Sequence, residues 1–98
     1  MRVKLSARAE ADLAAMEATL SLPPDTRHRV RSSLQYVGLF PHIGRALEGR
    51  WEPLRVWGGP WRWMLFVYEV LENEDVVLVV TIRDARSSNS PTAPSGRP

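Results

Sequence analysis

The sequence predicts an α+β domain in the order β-α-α-β-β-β, with a helical hairpin packed on a small, mostly antiparallel sheet. Two observations carry this reading. Between Ser6 and Gly38 apolar residues recur at helical spacing, and from Ala46 to Arg86 that period gives way to apolar runs joined by tight turns. A helical hairpin has an apolar stripe to bury, and one face of a strand meander can cover it.

Each element has its own signal. Arg2–Leu5 alternates polar and apolar residues and reads as a short first strand. Ser6 is placed as an N-cap, and Ala9, Leu13, Met16 and Leu20 follow on one helical face. Leu22-Pro23-Pro24-Asp25 breaks this helix and caps the next, in which Val30, Leu34 and Val37 form the stripe and Gly38 is the expected C′ stop. Leu39–Gly49 reads as an irregular connector. A second strand is expected over Trp51–Trp57, edge-like or bulged at Pro53 because proline has no N–H to give a ladder. Gly58-Gly59-Pro60 is a turn, and a third strand is expected from Trp61 to Leu71. On that strand Trp61, Trp63, Leu65, Val67 and Glu69 should face one way, and Arg62, Met64, Phe66, Tyr68 and Val70 the other. Glu72-Asn73-Glu74-Asp75 turns into a fourth strand, Val76–Ile82, whose nearly unbroken apolar run suits the centre of a sheet. The second sheet face then needs a cover of its own, and a partner chain could supply it. Ser87–Pro98 is dominated by small and turn-forming residues and reads as a disordered tail, leaving 1–86 as the domain.

Composition narrows the classes. With 98 residues and 44% hydrophobic content the chain is one globular domain near the small end of what builds its own core. The absence of cysteine excludes a disulfide framework and thiolate metal sites. No signal peptide is visible at Met1–Leu5 and no apolar run is long enough for a helical membrane span, so a soluble cytoplasmic protein with no membrane contact is expected. No motif calls for a cofactor or metal. The net charge is only +2, yet twelve of the thirteen basic residues are arginines, and much of the acidic charge is gathered in the first helix and the Glu72–Asp75 turn. Arginine's planar fork suits phosphate and carboxylate. Arginines in or beside each apolar run therefore point to an anionic partner, either a nucleic-acid backbone or an acidic protein.

The element order is similar to the RelE/ParE superfamily of type II toxin–antitoxin toxins. So are Ala9-Glu10-Ala11-Asp12-Leu13 in the first helix, the connector Pro41–Gly49, the pieces Leu54-Arg55-Val56 and Trp61-Arg62-Trp63, and the ending Ile82-Arg83-Asp84-Ala85-Arg86. The resemblance spans roughly residues 2–86 and implies a growth-inhibiting toxin held in a hetero-oligomer by its cognate antitoxin. RelE-like members cut messenger RNA on the ribosome without a metal, and this is the activity expected here; the alternatives are ParE-like inhibition of DNA gyrase and a non-toxic, antitoxin-binding relative. By position, Arg55, Arg62 and Arg86 (or Arg83) match the basic catalytic sites of the RelE-like group, where they would clamp phosphate and stabilise its developing charge. Arg83, Arg45, Trp57 and Trp61 are further candidates for contact with RNA or the antitoxin.

Other readings compete at each position. Arg55 and Arg62 could pair with Glu69 or Glu52 across the sheet. Arg83 and Arg86 could serve the antitoxin rather than catalysis. The tryptophans, Tyr36 and Tyr68 suit packing, and His42 a solvent-facing loop. His28, beside Arg27 and Arg31, suits a solvated helix face. The segment past the fourth strand, Ser87–Pro91, holds no aromatic or histidine acid/base of the RelE-like kind.

Overall fold

A computed structural model describes residues 1–86; the expected tail, Ser87–Pro98, lies outside the described residues. The chain forms β1 (Arg2–Leu5), α1 (Ala7–Leu20), α2 (Thr26–Leu39), β2 (Arg45–Ala46), β3 (Arg55–Gly58), β4 (Met64–Leu71) and β5 (Val76–Asp84). The sheet order is β1-β5-β4-β3-β2, with β1 parallel to β5 and every other pairing antiparallel. The expected α+β class holds; the last strand, expected at the centre of the sheet, is interior between β1 and β4, and β4 is the middle strand. The sheet gains one short strand, β2, inside what reads as an irregular connector; its two residues pair with Val56 and Arg55.

Local chemistry sets the boundaries. Ser6 caps α1 by accepting from the Ala9 N–H at 3.0 Å. The helix ends on Ser21 in a left-handed conformation. Leu20, expected on the apolar stripe, is the last residue of the helix and is exposed. Asp25 gives no side-chain cap to α2; the Thr26 hydroxyl instead donates to the Pro23 carbonyl at 2.6 Å. Nor is Gly38 the stop of α2, which runs on to Leu39. Gly38 is instead where α2 meets the first strand: a Cβ there would stand 3.0 Å from the Met1 carbonyl oxygen and 3.2 Å from Val3 Cγ2.

Two expected strands start late. Trp51 ends a 3₁₀ turn (Gly49–Trp51), and β3 begins only at Arg55, after Pro53, which cannot donate to a ladder. β4 begins at Met64. The residues before it are closed into a turn by Gly59 N–H to Met64 O at 2.8 Å and Met64 N–H to Trp61 O at 3.0 Å. Arg62 therefore sits in a turn and has no strand face. Trp61 and Trp63, expected opposite Met64 and Phe66, pack against the same core as those residues.

That core lies between the helices and one sheet face. Ala9 and Leu13 from α1 and Val30, Leu34 and Val37 from α2 meet Met64, Phe66, Tyr68, Val77, Val79 and Ile82. A register shift in the β4–β5 ladder makes this set possible. Tyr68 faces Val79 but Val67 faces Thr81, so Val80 is an extra residue in β5. The alternation of β5 is thereby reset, and Ile82 returns to the face already holding Val77 and Val79. The helix side completes the bulge: the Ser6 hydroxyl donates to the Val80 carbonyl at 2.7 Å, and the Asp12 carboxylate accepts from the Thr81 hydroxyl and, at 3.1 Å, from the Ile82 N–H.

The second face is partly covered by the chain itself. Leu47, Val56 and Val67 form a small cluster, with Trp51, Leu54 and Leu65 packed at its edge. Among the described residues, no helix is long and apolar enough to cross a membrane.

Asp12 is thus a brace for the bulge. Asp12→Ala strands the Ile82 N–H and the Thr81 hydroxyl and is expected to cost about 1–3 kcal/mol in a urea unfolding titration. Arg8→Ala, which removes only an exposed ion pair 3.9 Å away, should cost less than about 0.5 kcal/mol.

Candidate functional site

The three arginines read as catalytic do not converge. Arg55 lies opposite Tyr68 in the β3–β4 ladder, whereas Arg86 follows Asp84, which lies opposite Met64. Tyr68 and Met64 are separated by about 13 Å of strand at roughly 3.3 Å per residue. One end of β4 therefore carries Arg55; the other carries Arg62 and Arg86.

At the first end the arginine is part of the scaffold. Arg55 Nη1 donates to the Gly44 carbonyl at 2.7 Å and to the His42 carbonyl at 3.2 Å. Tyr68 works beside it. Its hydroxyl donates to the Pro41 carbonyl at 2.7 Å and accepts from the Gly44 N–H at 2.9 Å. Burial pushes the Tyr68 phenol pKa up, only partly offset by that N–H and by the Arg55 charge. The connector is held so closely that a Cβ on Gly44 would stand 2.5 Å from the Tyr68 oxygen and 2.6 Å from the Val56 carbonyl oxygen. The expected pairing of Arg55 with Glu69 or Glu52 is replaced by these backbone carbonyls. His42 is exposed, as a loop histidine should be, with Nε2 3.3 Å from Glu72 Oε2.

At the second end an aromatic column braces the turn. The Trp61 and Trp63 indoles stack with centroids 5.8 Å apart and planes within 11° of parallel. The Arg29 guanidinium lies over Trp61 at 5.8 Å and that of Arg86 over Trp63 at 4.7 Å. Each arginine is also tied to a carboxylate: Arg29 Nε to Asp25 at 2.9 Å, and Arg86 through Nε and Nη2 to Asp84 at 2.9 and 2.8 Å. These bonds hold the Asp25 and Asp84 carboxyls below the usual aspartate range. Both indoles are occupied by ring and guanidinium contacts, so they hold the turn rather than offer an open stacking face. The Ala85 N–H closes the other side by donating to the Trp63 carbonyl at 2.6 Å.

Arg62 stands between the two tryptophans in sequence, exposed at the tip of this braced turn. It makes no hydrogen bond or ion pair with any described residue. The other predicted contacts divide similarly. Trp57 is structural: its Nε1–H donates to the Ser33 carbonyl at 3.1 Å and ties β3 to α2. Arg45 is exposed on β2 at the sheet edge. Arg83 lies opposite Leu65, on the sheet face away from the helices. Tyr36, expected in or near the core, is 56% exposed. Among the described residues no group of His, Asp and Glu is placed to hold a metal ion.

Sequence reasoning missed Arg29, Asp25 and Asp84. The signals were present as the i,i+4 pair Asp25/Arg29 and the i,i+2 pair Asp84/Arg86. What the sequence hid was the second contact of each arginine, with an indole far away in the chain. Comparison with protein-family models, curated proteins and solved structures gives no match to this chain. The RelE/ParE likeness therefore rests on the element order and the residues quoted for it.

If Arg55 is a scaffold residue, Arg55→Ala should lower stability by about 1–2 kcal/mol in urea titration. It should also speed amide exchange at Gly44 while leaving Met64 and Ala85, which close the Trp61–Trp63 turn, unchanged. A purely functional arginine would move neither quantity.

Proposed function

We propose that the chain is the toxin of a RelE/ParE-type toxin–antitoxin pair and that it inhibits growth by binding its target rather than by cutting RNA. The observation that carries this is Arg62: an exposed guanidinium with no hydrogen bond or ion pair among the described residues, on a turn braced by the Trp61–Trp63 stack. A cation carried on a braced backbone turn suits a carboxylate or phosphate on a partner surface. The non-hydrolytic, gyrase-inhibiting branch of the superfamily is the better match. Metal-free cleavage needs cations and a proton-transfer group around one phosphate, and the candidate arginines lie at opposite ends of β4. An acidic antitoxin would neutralise the toxin by covering Arg62 together with Arg45 and Arg83.

One observation favours a second reading, ribosome-dependent cleavage of messenger RNA. His42 and Glu72 form an imidazole–carboxylate pair, and Arg55 is bonded to the carbonyl of His42 itself. An acid/base group and a cation thus share one corner.

Induced expression of wild type beside Arg62→Ala, with primer extension on messenger RNA, separates the readings. The binding account expects growth arrest by wild type with intact transcripts. It also expects target affinity about tenfold to a hundredfold weaker for Arg62→Ala, the loss of one charged contact of about 1.5–3 kcal/mol. Discrete cleavage that disappears in His42→Gln would establish the second reading instead. Equal toxicity of wild type and Arg62→Ala would remove Arg62 from the account.

A further inference from the structure

The C-terminal end of α2 and the connector behind it carry an apolar surface open to solvent. Among the described residues five large apolar side chains are exposed, and four of them gather here: Tyr36, Leu39 and Phe40 at the end of α2 and Ile43 just past it. Their spacing, i, i+3, i+4 and i+7, puts the three helical ones on one side of α2. At 56%, 72%, 59% and 42% exposure they leave roughly 500 Å² of side chain bare, at the upper end of what a typical monomer shows. The backbone beneath them is held in place. The Phe40 N–H donates to the Tyr36 carbonyl at 2.8 Å, the Ile43 N–H to the Phe40 carbonyl at 2.9 Å, and the Tyr68 hydroxyl to the Pro41 carbonyl at 2.7 Å.

No sign of charge predominates around this face. Asp25 and Arg29 are paired at 2.9 Å on the helix upstream of it, and His42 and Glu72 lie 3.3 Å apart at its far end. The turn that holds Glu72 also holds Glu74 and Asp75, and these three carboxylates are matched by three exposed arginines, Arg2, Arg31 and Arg45. A nucleic acid, an anionic membrane or a highly charged segment therefore finds no field to follow. A second copy meets no like-charge barrier. The chain's own Ser87–Pro98 has no large apolar side chain to cover the face.

The face is also complementary to itself. Tyr36 and Phe40 are one helical turn apart, so two copies of α2 crossing antiparallel between them set each Tyr36 against the other copy's Phe40. The small Ser32, one turn upstream of Tyr36, leaves room for the other copy's Ile43. Two such faces together bury about 1,000 Å², the lower bound of a specific interface. We infer that this face is the interface of a homodimer, made by antiparallel contact of α2 with α2 of a second copy. It shares no residue with the Arg62 turn, so it stands or falls separately from the proposed function.

Sedimentation equilibrium of the full chain is the test. The expected result is a monomer–dimer equilibrium with a Kd of roughly 10–100 µM, as suits an interface of the smallest specific size. Leu39→Glu and Phe40→Glu, both at exposed positions and checked for folding by circular dichroism, should each weaken it about tenfold or more, the scale of one large apolar side chain. Leu20→Glu, at the exposed apolar side chain outside the face, should leave it unchanged. Raising NaCl from about 0.05 M to about 0.5 M should not weaken it, because apolar contacts are not screened. A chain still monomeric at about 1 mM overturns the inference and leaves the face to a different protein. It is equally overturned by a dimer that both substitutions on the face spare, that Leu20→Glu weakens as much, or that salt dissolves.

Discussion

Val80 is one residue too many for the ladder between β4 and β5, and much of the fold is arranged around accommodating it. Without the bulge, strict alternation would put Ile82 on the face opposite Val77 and Val79, and the core under the helices would lose one of its fully buried side chains. A bulge leaves backbone groups off the ladder, and such groups are costly when buried. Two residues of the first helical turns meet them. Ser6 caps α1 and donates to Val80, while Asp12 collects Thr81 and Ile82. The docking of α1 and the register of β5 are thus one constraint, and the helix cannot shift along the sheet without stranding the bulge.

The arginines divide by what they touch. Arg55 spends its charge on backbone carbonyls and, with Tyr68, pins the connector that carries β2. Arg29 and Arg86 each combine a carboxylate with an indole face, so their cations stiffen a turn. Among the described residues, Arg62, Arg45, Arg31, Arg2 and Lys4 are exposed and make no hydrogen bond, ion pair or ring contact. The ion pairs of Arg27, Arg29 and Arg86 lie at the surface and use carboxylates and guanidiniums together.

Residues whose role is local were legible in the sequence. Ser6 follows a short alternating strand and precedes a helical stripe, and it does cap the helix. The Val76–Ile82 run reads as a central strand because it is apolar on both faces. Ala9, Asp12 and Leu13 are recognisable together, although only the structure shows that Asp12 braces a bulge. Roles depending on distant partners were hidden. Gly38 looks like a helix stop by its neighbours, yet its reason is Met1 and Val3. Arg62 looks like a strand residue by alternation, yet the hydrogen bonds of Gly59 and Met64 enclose it in a turn. Arg55 looks like a site residue because nothing local reveals that the Gly44 carbonyl lies 2.7 Å away.

The central claim is that these arginines do different jobs, with Arg55 built into the scaffold and Arg62 left free for a partner. Side-chain NMR of the guanidinium groups in the free protein tests it most directly. The account predicts slow guanidinium rotation and separately resolved, slowly exchanging Nη protons for Arg55, with rapidly averaged and rapidly exchanging signals for Arg62. Averaged signals for Arg55, or a protected and rotationally fixed Arg62, would contradict it.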